Sequence, residues 1–457
     1  MNPLPEFDVL FAEHLQRLHR DYAAALEASG HDGVIVASGV PSYRFEDDQT
    51  FPLRVNPRYR QWIPAGEHTY SLLIIRPGQR PQLICHQPRD YWHVVPQAPS
   101  GFWTRHFDIG IADSPEAVLD LMPADRRHMA LLGDSGAAEW TGISGVQLNP
   151  PALINWLDFH RVYKTDYEVA CIEFASAIGA RAHLAARDAF RAGASEFGIH
   201  LAYQQAAGQN EQVLPYNNII ALNEHGATLH YDVFDQSPPP VLHSLLIDAG
   251  AVFNGYAADI TRTWPAADGL FSDLVAALDQ SQRDLVASIQ PGHPYQDLHL
   301  QAHDDIAEIL QQLGLVKMTP EAMVESGVTR AFFPHGLGHH LGLQVHDRGG
   351  KLADASGAQL PQPQADPFLR NLRPAEPGNV FTIEPGIYVI DQLLEPLRGS
   401  AAGRSIDWEL VQSIAPFGGI RIEDNVLVST SGVRNLTRNA FDALGQSEPH
   451  GVSATHD

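Results

Sequence analysis

The chain has 457 residues, with 30 Lys+Arg against 54 Asp+Glu, a formal charge of -24, 23 histidines and two cysteines. This length suits two or three domains, and 44% hydrophobic with 18% charged residues describes an ordinary globular protein. The acidic balance, with no Lys/Arg block, excludes a nucleic-acid binder and disfavours docking on anionic lipid. Cys85 and Cys171 stand far apart without CxxC spacing, which excludes a disulfide framework or a thiolate zinc site. No basic-then-apolar leader opens the sequence, and no apolar run is read as long enough to span a bilayer. A soluble, cytoplasmic protein is expected.

In chain order, helices are expected at LFAEHLQRLHRDYAAALEAS and SPEAVLDLMP from their 3.6-residue periodicity. DGVIVAS, YSLLIIRP, RPQLICHQ and HMALLGD read as strands, being β-branched and bounded by Gly, Pro or Asp. The alternation predicts an α/β N-terminal domain over 1–162. Thr165 and Glu168 form a T-x-x-E capping box opening a long helix at Asp166–Arg191, and a second domain is placed at 163–445. Helices are expected at 272–290 and 297–314, then mainly Gly, Pro and short strands from 315 on, an α/β (α+β) class overall. The polar tail 446–457 is expected to be disordered.

Several motifs are set aside. Gly133-Asp134-Ser135-Gly136 reads as a tight turn, not a nucleophile loop. Asn435-Leu436-Thr437 matches a glycosylation sequon that a cytoplasmic chain does not use. Gly336 and Gly338 complete no phosphate-binding loop.

The segment LLIDAGAVFNGYAADITRTW predicts a β-hairpin turning at Asn254-Gly255 as a type I′ turn. In that register Phe253 pairs with Tyr256, Gly250 with Asp259 and Asp248 with Thr261. Strand alternation then puts Asp248, Gly250, Asp259 and Thr261 on one face, the two carboxylates about 7 Å apart. Either both aspartates face solvent on an edge hairpin, or a cation sits between them. Three histidines, His335, His339 and His346, cluster in PHGLGHHLGLQVHD, where LQVH reads as a strand delivering His346. Glu384 ends an apolar strand at a Pro-Gly break, and GGIRIEDNVLV puts Arg421 and Glu423 opposite Ile420 and Ile422. Each glutamate alone reads equally as a paired structural carboxylate. Taken together, an oxygen-rich, nitrogen-poor set suits Mn2+, Co2+ or Fe2+, and four carboxylates call for two ions, about 3.5–4 Å apart.

DAGAVFNGYAADITRTW, PHGLGHHLGLQVHD, TIEPGIY and GGIRIEDN, in that order, resemble the signatures of the creatinase/aminopeptidase (pita-bread) metallopeptidases, family M24. Within that family the resemblance is to the bacterial Xaa-Pro dipeptidase (prolidase) group, and FEDDQTFPLRVNPRYRQW and RDYWHVVP extend it into the N-terminal domain. It implies two divalent ions, Mn2+ first with Co2+, Fe2+ or Zn2+ as alternatives. Asp248 would chelate one ion, Asp259 and Glu423 would bridge, and His339 and Glu384 would hold the other. It further implies a bridging hydroxide as nucleophile, Glu384 as general base, and His346 and His230 at the scissile carbonyl. Arg370 would capture a dipeptide's C-terminal carboxylate, Arg421 would orient Glu423 or substrate, Tyr216 would line the site, and Thr261 would bond the aspartate opposite it. His335 reads as a packed histidine, and His340 stays out of the site. Trp92 and Asp48 match positions that the N-terminal domain of a second subunit offers to the pocket.

The implied activity is hydrolysis of dipeptides with C-terminal proline by a homodimer, with no nucleic-acid or membrane partner. Hydrolysis of organophosphate triesters is an implied side activity. An Xaa-Pro aminopeptidase acting on longer peptides, and a non-catalytic peptide-binding module on the same fold, are the alternatives.

Overall fold

The computed structural model describes residues 6–64, 69–92, 94–95, 97–143 and 145–445, so the expectation for the tail 446–457 lies outside the described residues. Two compact units result. The first runs to Ala170 and takes in Leu352–Gln359; the second comprises Cys171–Lys351 and the chain from Leu360 on. The division therefore falls inside the long helix rather than before it, and the first unit is not the contiguous stretch 1–162. Leu352 bridges Gln359, and the Asn155 amide donates to the Ser356 carbonyl (3.2 Å), which ties the 352–359 segment to that unit.

The first unit is built on a mixed six-stranded sheet: β1 (Gly33–Ala37), β2 (Leu72–Ile75), β3 (Gln82–His86), β4 (Asp108–Ala112), β5 (Met129–Leu132) and β6 (Gln147–Leu148), in the order β4-β3-β2-β1-β5-β6. The apolar runs read as strands from the sequence are its four central members. The two missed strands are the edges. β4 carries a glycine and only its last residue is buried, while β6 has two exposed residues, so neither shows an apolar run. β1 is wholly buried, and Ile35, Leu72, Ile74, Ile84 and Leu131 pack in one core. The helix Phe7–Ser29 ends at Gly30 in the left-handed region (φ 72°) and packs along Pro151–Arg161. Residues 133–136 are a helix start rather than a turn: Asp134 accepts from the Ala137 amide (2.7 Å) and the helix runs Ser135–Thr141.

The capping box forms as read. Glu168 accepts from the Thr165 amide (2.9 Å), Thr165 Oγ1 from the Glu168 amide (3.4 Å), and the helix spans Asp166–Arg191. Contrary to the sequence reading, this helix is long and apolar enough to cross a membrane by composition alone, with mean hydropathy 1.2, but 61% of that window is buried. Ala182, Ala186 and Phe190 belong to a core with β7 (Ile219–Leu222) and β8 (Ser244–Asp248), and His183 bonds the Ala249 carbonyl (3.0 Å). It is a core helix.

In the second unit β9 (Val252–Phe253), β10 (Tyr256–Ala257) and β11 (Thr261–Pro265) complete the hairpin, and the three-stranded sheet runs β11-β8-β7. β12 (Val380–Ile383), β13 (Gly386–Tyr388), β14 (Gly419–Arg421), β15 (Asp424–Ser429) and β16 (Gly432–Asn435) form the sheets β12-β15-β16 and β13-β14. Helices Leu270–Ser288 and Tyr295–Gln312 cover these strands through a core that includes Leu278, Leu285, Ile306, Phe381, Ile420 and Ile422. The Glu423 amide donates to the Thr261 carbonyl (3.0 Å), which joins the hairpin to the β14–β15 junction. Beyond residue 315 the chain holds short helices at Pro320–Glu325, Val328–Phe332, Asp391–Arg398, Trp408–Ile414 and Leu436–Ala443, which the Gly/Pro punctuation concealed. The sequon there is structural: Asn435 caps the last helix by accepting from the Arg438 amide (2.9 Å), and Thr437 is buried.

Candidate metal centre

The hairpin takes the register read from sequence. Phe253 pairs with Tyr256 and Asp248 with Thr261, and the turn residues Asn254 (φ 51°) and Gly255 (φ 87°) are both left-handed, as a type I′ turn requires. Its ladder is nevertheless interrupted at 249–251 and 258–260. A Cβ at Gly250 would lie 2.2 Å from the Ala258 carbonyl and 2.8 Å from the Tyr216 ring, so only glycine lets that tyrosine approach. Opposite, the Asp259 amide is taken by Asn425 Oδ1 (3.2 Å). Asp259 stands beside Asp248, and the Tyr216 hydroxyl reaches both carboxylates, at 2.5 Å and 2.8 Å.

Facing them is His339, brought in by a backbone approach at Gly338, where a Cβ would meet the Thr382 carbonyl at 2.2 Å. His339 Nδ1 donates to the His340 carbonyl (3.1 Å), which leaves the Nε2 lone pair aimed at Asp259 Oδ2 (3.4 Å) and Glu384 Oε1 (3.7 Å). Glu384 leaves β12 at the Pro385 break, and Glu423 follows Ile422, whose side chain joins the core. Ligand atoms of Asp259, His339 and Glu423 lie within 4.8 Å of one another, all three residues buried.

This donor set fits divalent cations. Acceptor faces acceptor at His339 Nε2, and one phenol proton at Tyr216 serves two carboxylates. Burial pushes the Glu423 carboxyl far up, reinforced by Asp259, Glu384 and Asp248. Burial also raises Glu384 to about 7 and raises Asp248 despite Arg421. Cations among these oxygens remove that repulsion. Asp259 departs from the trend: burial would raise it, but when His339 is protonated, with a proton standing where a cation would otherwise sit, its hydrogen bond and charge hold the carboxyl low.

The surrounding contacts correct two expectations. The Thr261 hydroxyl donates to Glu423 (2.7 Å), not to the aspartate paired with it in the ladder. Arg421 ion-pairs with Asp248 (2.8 Å) and not with Glu423, because its Nε meets Thr261 Oγ1 and its Nη1 donates to Tyr388 Oη (2.8 Å). Tyr388, to which the sequence reading gave no role, extends this chain to His335 Nε2 (2.9 Å). A buried arginine between apolar strands was the signal that such a partner exists. His335 lines the cavity with Nδ1 at 3.7 Å from Glu384, and burial pushes its imidazole down to about 3.

An open cavity of about 760 Å³ lies over these groups, within the range of roughly 300–1,000 Å³ of small-molecule sites. Asp248, Asp259, His339, Glu384, Glu423, His230, His346, Arg370 and Arg421 all line it. His346 arrives on a bend rather than the expected strand, because the Asp347 amide bonds back to His340 O (2.8 Å) and Gly342 N to Gln344 O (3.1 Å). Its ring stands 4.4 Å from His339, and burial, then His339 and Arg370, push its imidazole down to about 4. His340 is buried away from the cavity, in a bridge with Phe381. Trp92 belongs to the first unit, 76% exposed and packed on Tyr91.

Among the described residues two other clusters of acids and imidazoles occur, and in each one acid is already engaged by other donors. Asp366, beside His299 and His303, gives both oxygens to Arg330 (2.8 and 3.2 Å). Glu196, beside His225 and Asp235, has two donors on each oxygen.

Residues 9–159 match the family "Xaa-Pro dipeptidase, N-terminal domain" and residues 170–430 match "Metallopeptidase family M24". The chain is 46% identical over 440 residues to an Xaa-Pro dipeptidase of Aeromonas hydrophila subsp. hydrophila, covering 96% of this chain and 100% of that protein. It is 46% identical over 436 residues to an Xaa-Pro dipeptidase of Stenotrophomonas maltophilia, covering 95% and 98%. Among solved structures, Pseudomonas aeruginosa aminopeptidase PepP superposes with a TM-score of 0.69 at 21% identity over 94% and 95% of the two chains. Aminopeptidase P from E. coli with the inhibitor Pro-Leu gives 0.67 at 20% identity over 92% and 95%. These neighbours show a shared fold, an α/β N-terminal domain followed by a pita-bread domain.

Proposed function

The chain belongs to metallopeptidase family M24, and from that premise we propose that it is a metal-dependent dipeptidase cleaving the bond before proline in Xaa-Pro dipeptides. The observation that carries this reading is the convergence of four carboxylates and one imidazole under a cavity that Arg370 also lines. Asp248 would hold one divalent ion, Asp259 and Glu423 both ions, and His339 and Glu384 the second, with Mn2+ the proposed metal. When bound, such ions supply a water acidified enough to act as hydroxide and polarise the scissile carbonyl.

The remaining work falls to the chain's own groups. Glu384 takes the proton of the nucleophile and passes it to the proline nitrogen as that bond breaks. His230 and His346, on the cavity wall, donate to the oxygen of the tetrahedral intermediate. Arg421 fixes Asp248 through their ion pair, Tyr216, which does not itself line the cavity, holds both aspartates from behind through its hydroxyl, and Arg370 binds the substrate's terminal carboxylate. A role for Trp92, a homodimer and a cytoplasmic location rest on the family resemblance. The same nucleophile would attack phosphorus in organophosphate triesters, which we include as a side activity. The rival reading as an aminopeptidase on longer peptides has no use for a carboxylate-binding arginine at the dipeptide's end. A non-catalytic module would not require all five ligand positions to be filled.

Arg370→Ala tests the assignment. A charged hydrogen bond is worth about 1.5–3 kcal/mol, so KM for Ala-Pro should rise about 10–100-fold with kcat nearly unchanged. The preference for Ala-Pro over its C-terminal amide should shrink by the same factor. An unchanged KM would remove Arg370 from substrate capture.

A further inference from the structure

Glu196 opens the helix Glu196–Ala207 and is only 1% exposed, far from any position a solvated glutamate takes. Its carboxylate accepts four hydrogen bonds. Oε1 receives the Leu222 amide (2.8 Å) and His225 Nδ1 (2.8 Å), and Oε2 receives the Tyr231 hydroxyl (2.7 Å) and the Asp235 amide (2.8 Å). The donors are spread over residues 222–235, which hold a short 3-10 turn at Asn223–Ala227 and no regular structure from Thr228 to Asp235. A chain without a ladder of its own is held by such outside contacts. The return is mutual, since the Phe197 amide donates to the Asp235 carbonyl (3.1 Å). Within the segment, His225 stacks on Tyr231 at 4.7 Å, and the residue immediately before Tyr231 is His230, on the cavity wall.

We propose that Glu196 is a positioning residue: by gathering residues 222–235 onto one buried carboxylate it sets where His230 stands over the metal centre. The inference rests on the role given to His230 above. Glu196 itself does not line the cavity, so its effect on the reaction passes through the loop.

Two variants and two readouts test it. Glu196→Gln keeps the shape, but its NH2 cannot accept, so two of the four hydrogen bonds are lost and the two on the remaining oxygen are weakened. It should lower kcat on Ala-Pro on the order of 100-fold, the loss that misplacement of about 1 Å produces, with KM little changed and the bound Mn2+ per chain unchanged. Tyr231→Phe removes one donor of the four, keeps the fold if Glu196→Gln does not, and should lower kcat several-fold. Introduced into His230→Ala, either change should alter kcat less than about twofold, because the residue it positions is gone. Amide hydrogen exchange should quicken across 222–235 in the single variants and stay unchanged across 244–265. Equal losses with and without His230, or unchanged exchange at 222–235, would overturn the proposal. Absence of dipeptide hydrolysis in the unaltered protein would instead overturn the proposed function, and exchange would still decide whether Glu196 is the clamp.

Discussion

Asp259→Asn is expected to lower kcat on Ala-Pro by at least about 10³-fold and to leave the chain holding fewer than two Mn2+ ions per subunit. The magnitude follows from the several kcal/mol of transition-state stabilisation that a two-ion site supplies. Asp259 is the residue to alter because it is contacted from both sides, by Tyr216 at 2.5 Å and by His339 at 3.4 Å. An amide offers one oxygen where the carboxylate offers two, and its NH2 group must point at either an imidazole lone pair or a phenol. The backbone amide of Asp259 keeps its hydrogen bond to Asn425 Oδ1, so the fold should survive and circular dichroism should be unchanged. Metal content by atomic emission, with kinetics at saturating Mn2+, checks the prediction. Activity within tenfold of the unaltered chain would remove Asp259 from the centre.

Arg262→Met is expected to destabilise the protein by about 3–5 kcal/mol, the usual result of removing one partner from a buried ion pair. Arg262 is fully buried. It donates to Asp424 (2.7 Å) and to the carbonyls of Thr261 and Glu423 (2.8 Å each), and it lies over the Phe441 ring at 4.9 Å. It thereby holds the hairpin's returning strand to the β14–β15 junction that delivers Glu423. Burial alone would raise the Asp424 carboxyl, but Arg438 and Arg262 hold it at about 2 against a usual 3.8. A depressed carboxylate contributes stability that is fully present above its unfolded pKa. That contribution is lost as pH falls from about 4 through about 2. Urea unfolding should therefore show a lower midpoint for Arg262→Met at pH 7, and a gap from the unaltered protein that narrows below pH 4. A midpoint within experimental error of the unaltered protein would contradict the role given to this arginine.

How much of the site was legible depended on sequence distance. The hairpin register, the pairing of Asp248 with Thr261, and the alternation that buries Ile420 and Ile422 follow from period-two patterning and one turn dipeptide. These are local signals. The contacts of Thr261 with Glu423, Arg421 with Asp248 and Arg421 with Tyr388 join residues far apart in the chain, and no pattern encodes them. His346 was placed on a strand because its neighbours are apolar, whereas backbone bonds within 340–347 make a bend there. The helix Asp166–Arg191 follows from a capping box and an Ala-rich pattern, both local. The short C-terminal helices, none longer than eight residues, are hidden by Pro and Gly, which mark helix ends as readily as loops. Glu196 was passed over because a glutamate in the first turn of a helix is ordinary, and only the fold shows where its oxygens go.

The measurement that bears most directly on the central claim is proline release from Ala-Pro, compared with cleavage of Ala-Pro-Ala, during a Mn2+ titration of the metal-stripped full-length protein. No turnover is expected before metal is added, and activity on Ala-Pro should saturate near two ions per chain. The kcat/KM for the dipeptide should stand well above that for the tripeptide. Turnover that persists without metal would contradict the centre, and faster cleavage of Ala-Pro-Ala would contradict the dipeptidase.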